Sequence, residues 1–251
     1  MDPDYSIEDN GVPFVDWKRV FADLKATSQK GTEPFYTTLI KAWLSRLADK
    51  VDTATSVLES DTMIYFTYFE GNVARERFDI ITHVRSTLIE TFGDIVPKSY
   101  VGKNLIVELA DPDFYYRYIS HFYPELKETD DEKTYAQSSG IMANDGYLQI
   151  VLNNQAKASL SVIVAHELTH LLLAYYRPPL WLNEGLATLA ETIFSHGRSQ
   201  FMSQDQYVDP WTWTKESFAD FLSGKLMQNY EAISLSISLP SWSHMKCSPK
   251  R

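Results

Sequence analysis

An α+β fold is predicted for this chain of 251 residues. Three observations carry the prediction. Apolar residues recur at helical spacing through several long stretches. Short β-branched or alternating runs separate them. One strongly apolar run, Leu160 to Tyr176, holds two histidines four positions apart. The expected architecture is a small mixed sheet served by that helix and preceded by an N-terminal helical hairpin. Its boundaries are 1–55 for the hairpin, packed on the core, 56–224 for the main domain, and 225–251 for a C-terminal tail to which the pattern assigns no single structure.

Each element has its own signal. Residues 1–12 read as a loose acidic arm. Asp16 is placed to cap a helix whose apolar positions are Trp17, Val20, Phe21 and Leu24, and Gly31 breaks it. Thr32, with Pro34 just inside, starts a second helix bearing Phe35, Leu39, Trp43, Leu44 and Leu47. Met63 to Phe69 is β-branched and aromatic and reads as a strand. Asn72 is a candidate cap for a long helix through Phe78, Ile81, Val84, Leu88 and Phe92, with Gly93 at its end. Leu105 to Leu109 alternates as a short strand, and Asp111-Pro112-Asp113 opens a helix that runs to Pro124. Its aromatic cluster, Phe114 to Tyr123, has helical spacing and reads as a core-facing side rather than a ligand face.

Glu125 to Lys133 is a charged loop. In Ser138 to Asn153, the turn signal Asp145-Gly146 separates two extended pieces. Ser159 is a candidate N-cap of the histidine-bearing helix, and Arg177-Pro178-Pro179 stops it. Leu186, Leu189, Ala190 and Ile193 continue a further helix. Beyond it come a proline-tryptophan loop at Asp209 to Trp213 and a helix at Thr214 to Leu222. Ser234 to Leu239 alternates as a one-sided strand would, or belongs to a poorly ordered end.

Composition narrows the function classes. The chain is 44% hydrophobic and 22% charged, enough apolar residue for one substantial core and too little charge for global disorder. A net charge of −10 without a basic stripe argues against a nucleic-acid partner. Cys247 is the only cysteine, so no intramolecular disulfide forms. The acidic start Met1-Asp2-Pro3-Asp4-Tyr5 is no secretory signal, and no apolar run reaches the length of about 18 residues that a membrane span needs. A cytoplasmic location is the resulting expectation, with no membrane partner.

The chemistry is concentrated in His166-Glu167-Leu168-Thr169-His170. Four residues of helix advance little more than one turn, so both imidazoles can converge on one ion. Glu167 projects nearby, placed to reach a metal-activated water rather than the metal. A catalytic zinc site needs a third protein ligand and an open position. Glu184 stands fourteen positions after His170 and opens the next helical pattern, so a short turn can fold it back onto the histidines. Buried histidines and a carboxylate without a metal or hydrogen-bonding partner would be costly.

This H-E-x-x-H, followed by Trp181-Leu182-Asn183-Glu184-Gly185, resembles the gluzincin zinc metallopeptidases, most nearly the bacterial peptidase MA-like proteins. The W-L-N-E-G wording also occurs in the zinc aminopeptidases related to leukotriene A4 hydrolase. The likeness spans residues 140–190. It implies a zincin-like metallopeptidase domain in which His166, His170 and Glu184 hold Zn²⁺ and Glu167 is the general base. It also implies an edge strand before the metal helix, here Ser139 to Asn144, that aligns the substrate backbone by strand addition. Gly140-Ile141-Met142-Ala143-Asn144 resembles the G-x-M-E-N segment of those aminopeptidases. Ala143 replaces the glutamate that holds a free substrate amine, which puts aminopeptidase specificity in doubt. Thr188 stands where many of these enzymes place an acidic partner for a metal-bound histidine; Glu191, two turns on from Glu184, is either a substitute for it or a surface or capping residue. Asn183 serves either the site or the turn.

Tyr207, His196 and Tyr230 are candidates for the oxyanion donor, none at a diagnostic spacing, and His83, His121 and His244 lack ligand-like neighbours. Cys247 has no relay for a nucleophile. The expected function is a zinc-dependent metallopeptidase acting on a peptide or protein substrate. The alternative is a catalytically inactive zinc-binding or scaffold domain of the same fold. A non-peptide amide or ester is a third possible substrate class.

Overall fold

Strands joined in parallel need crossover connections, which place helices over both sheet faces, so such strands are apolar on both sides. The strands β4 (Met63–Thr67) and β5 (Asn104–Leu109) fit this: every residue of each is buried. The computed structural model describes residues 5–27, 31–96, 102–123, 139–153 and 159–195. Within them a five-stranded mixed sheet runs in the order β3 (Ser56–Glu59), β4, β5, β7 (Leu148–Asn153), β6 (Gly140–Asn144). The central strands β4, β5 and β7 are mutually parallel, and the edge strands β3 and β6 are each antiparallel to their neighbour. The α+β class expected from the sequence is the class observed.

Alternation along the central strands supplies two cores. Ile64, Phe66, Leu105, Val107 and Val151 face α1 (Trp17–Ala26), α2 (Glu33–Ala48) and α4 (Pro112–Ile119). Met63, Tyr65, Ile106, Ile150 and Leu152 face α3 (Gly71–Phe92) and α5 (Leu160–Leu173), with Ala190 of α6 (Leu180–Phe194) in the same cluster. Each fully buried aliphatic or aromatic side chain contributes about 1.5–3 kcal/mol, so both helical layers are tied to the sheet by many such increments. Among the described residues no helix is long and apolar enough to cross a membrane.

Several caps fall where the residues predict them. The Asp16 carboxylate accepts the Arg19 N–H at 3.0 Å, and that of Asp111 accepts the Asp113 N–H at 3.0 Å. Gly93, at φ 55°, ends α3.

Several expectations change, among them the helix expected to run to Pro124, which ends at Ile119. The loose acidic arm is instead a hairpin of β1 (Ser6–Asp9) and β2 (Val12–Val15). Asn10 and Gly11 both take positive φ, 50° and 75°, the geometry a two-residue hairpin loop requires. Val12, Phe14 and Val15 are buried, and Trp43 Nε1 donates to the Pro13 carbonyl at 2.8 Å. Asn72 is not the cap of α3. Glu70 holds that position, and Gly71, at φ 57°, turns the chain into the helix before Asn72. The strand predicted to reach Phe69 ends at Thr67, and β3 was not expected at all. The charged loop at 125–133, the elements predicted beyond 208, the tail at 225–251, and His196, Tyr207, Tyr230, His244 and Cys247 lie outside the described residues.

Candidate metal centre

Ser159, in extended geometry, precedes α5, and buried residues surround nearly the whole helix from Val162 to Leu173. A helix apolar on most sides is a core element, which makes its few polar groups conspicuous. After Leu173 the chain tightens into a 3-10 turn at Ala174–Tyr176, and Arg177 takes the left-handed conformation at φ 46°. Pro178 and Pro179 prevent the helix from continuing. The chain doubles back, and α6 packs along α5 with Glu184 in its second turn.

That reversal brings the three predicted ligands together. Nε2 of His166 and Nε2 of His170 are 3.0 Å apart. The Glu184 carboxylate lies 3.6 Å from each ring, through Oε2 to His166 and Oε1 to His170. One donor atom from each residue falls within 4.8 Å of the others, so this group can hold a metal ion. Bonds of about 2.0–2.1 Å at tetrahedral angles separate donors by about 3.3 Å, and two imidazoles with one carboxylate form an ordinary catalytic zinc donor set. The spacing and chemistry of the residues present therefore fit zinc.

The back of the site is held by a residue that neither motif contains. Nδ1 of His166 meets Oε1 of Glu191 at 2.6 Å, and Glu191 is fully buried. Glu191 lies two helical turns beyond Glu184, so both carboxylates of α6 face His166. Thr188 is buried too, but Glu191 makes the contact. His170 Nδ1 and Asn183 Oδ1 are each buried without a closed hydrogen bond. Asn183 is nonetheless the polar side chain bearing on the His170 ring, where it favours the protonated form.

Charge and burial set these groups apart. Burial opposes protonation of His166. The Glu191 hydrogen bond and the charges of Glu167, Glu184 and Glu191 outweigh it and raise its pKa to about 9. Burial holds His170 below the usual histidine range, with the His166 charge pushing the same way. Burial also raises Glu184 and Glu167 above ordinary carboxylates. For Glu167 the two histidines and the Met142 N–H work in the opposite direction.

The Met142 contact places Glu167 beneath the sheet edge. The Asn153 N–H donates to the Ser139 carbonyl at 3.1 Å, and the register pairs Ile141 with Val151 and Met142 with Ile150. Hydrogen-bonded pairs alternate along an antiparallel ladder, so Ile141 and Ala143 bond to β7 while the Met142 N–H and carbonyl face away from it, on the side where no other described strand pairs with β6. That N–H reaches Glu167, and the carbonyl accepts the Tyr123 hydroxyl at 2.8 Å. Gly140 allows α5 to come this close. A Cβ there would lie 3.0 Å from Ile163 Cγ2 and 3.3 Å from Glu167 Cγ.

Ala143 sits on the edge strand, yet its side chain is buried in the core on the sheet face opposite α5. A longer residue in that orientation would point away from the metal group. His83 lies near Phe194, and His121 is bonded to Asp9 at 3.0 Å and stacked on Phe14, so neither joins the site. The sequence marked Gly140 and Met142 as part of the edge strand before the histidine-bearing helix, but it did not show the contact of Met142 with Glu167, that of Tyr123 with Met142, or the close approach at Gly140. Their roles arise from strand register and long-range contact, which leave no local pattern. No protein-family model matches this chain, and no curated protein is significantly similar to it.

Proposed function

We propose that the chain is a zinc-dependent metallopeptidase of the gluzincin type, with a zincin-like fold, that hydrolyses peptide bonds. The observation carrying this reading is the convergence of His166, His170 and Glu184 beside Glu167 and beneath an edge strand with an outward-facing backbone. The two histidines and Glu184 would hold the ion. When bound, zinc supplies an acidified water and a Lewis acid for the substrate carbonyl.

The remaining work falls to the protein. Glu191 accepts from Nδ1 of His166 and so keeps Nε2 turned toward the ligand group. The outward edge of β6 offers backbone partners to an extended peptide. Glu167 takes a proton from the attacking water and passes it to the leaving amine. Its burial, which raises its pKa, suits a base that must also act as an acid.

A peptide-library digest with and without chelator tests the reading. The wild type should cleave only when the metal is present. Glu167→Gln should retain stoichiometric zinc and lose turnover by about 100- to 10,000-fold. His166→Ala should lose the zinc itself, measured by elemental analysis. A zinc-loaded wild type that cleaves nothing in the library would support the inactive scaffold instead.

A further inference from the structure

We propose that Tyr123 gates the substrate edge: its hydroxyl occupies the Met142 carbonyl at which a bound peptide strand would donate its N–H, so a substrate must displace it. The inference rests on the peptidase reading and adds the residue that would set peptide affinity.

Register carries the argument. Only alternate residues of an edge strand present both backbone groups outward, and on β6 these are Gly140, Met142 and Asn144. Met142 is the central one and lies beside Glu167, so it is where an added strand would pass the reacting centre. Both of its outward groups are engaged. The N–H donates to the Glu167 carboxylate, and the carbonyl accepts from Tyr123 at 2.8 Å. The first contact ends when Glu167 turns to the attacking water. The second does not involve the group assigned to proton transfer, so a bound peptide must break it. The Tyr123 ring is half-buried and packed against the core that contains α4 and β6, which holds the hydroxyl at the carbonyl. The arrangement reproduces within the chain one hydrogen bond of an added strand.

Removing the hydroxyl should therefore favour the peptide. The probe is a fluorescein-labelled pool of randomised decapeptides, and the readout is anisotropy on zinc-loaded Glu167→Gln protein, with and without Tyr123→Phe. Tyr123→Phe should tighten binding about two- to tenfold, the equivalent of one neutral hydrogen bond. With Glu167 intact, the same substitution should lower KM by a similar factor and leave kcat unchanged. Equal affinities for the pool would overturn the gate while leaving the peptidase reading in place. A fall in kcat at constant KM would also overturn it, making Tyr123 a donor to the reacting atoms. If the pool binds neither protein, the peptidase reading fails and the gate fails with it.

Discussion

Glu191 illustrates how one buried carboxylate can orient a candidate metal ligand. An imidazole coordinates through one nitrogen, and the partner of the other nitrogen fixes the tautomer and the ring angle. Here that partner is fully buried and 2.6 Å from His166 Nδ1. Its contribution is orientation and ligand basicity rather than coordination. Glu191→Ala should weaken zinc binding about 10–100-fold, the usual effect of removing such a partner, as read by competition with a chromophoric chelator. Glu191→Gln retains an acceptor oxygen and should recover most of that loss. An unchanged affinity in the alanine variant would mean that the helices alone orient His166. The sequence left Glu191 as one of two roles, because position 191 is two turns from Glu184 and the expected acidic position, 188, holds threonine. Only the packing of α6 along α5 decides between them.

At the scale of elements, legibility followed locality. The metal helix, its proline stop and the return of α6 are written in consecutive residues, and so is the β6–β7 hairpin with its Asp145-Gly146 turn. The N-terminal hairpin was equally local, since Asn10-Gly11 between Ile7 and Val12 is a hairpin signal, but the surrounding acidic residues masked it. β3 is only four residues long and half exposed, with no run for periodicity to detect. The resemblance placed an edge strand near α5, but how closely α5 approaches β6 was not readable, because it depends on the missing side chain of Gly140. Gly140→Val tests that approach. The added atoms would meet Ile163, Leu152 and the Glu167 side chain at 3.0–3.3 Å from the first carbon alone. These neighbours are packed, so α5 must shift or Glu167 must move. None of the three candidate ligands is among the nearest atoms that the added carbon would meet. Turnover should accordingly fall at least about tenfold, since small misplacements of a reacting group are costly. Zinc stoichiometry should stay near that of the wild type. Loss of zinc in parallel with turnover would show that the strand supports the whole site rather than the base.

For the whole molecule, the candidate centre joins two helices that pack along one another. α5 belongs to the sheet, packed through Val164, Ala165, Leu168, Leu171 and Leu172, whereas α6 adds only Ala190 to the buried part of that cluster. Two ligands on α5 and one on α6 would make the ion a crosslink between the two helices. Binding to the native state alone stabilises it by about 2.7 kcal/mol when free zinc is a hundredfold above the dissociation constant. A chain of this length gains about 2–4 °C in Tm per kcal/mol, so zinc should raise Tm by about 5–10 °C and a chelator should reverse the shift. Calorimetry at fixed pH measures it. Glu184→Ala discriminates between a crosslink and a local effect. It leaves both histidines on α5, so residual binding through them would give only a small shift, while the full shift requires α6. If Glu184→Ala retained the whole rise in Tm, the ion would be held by α5 alone, and the fold reversal at Pro178 and Pro179 would not be what completes the site.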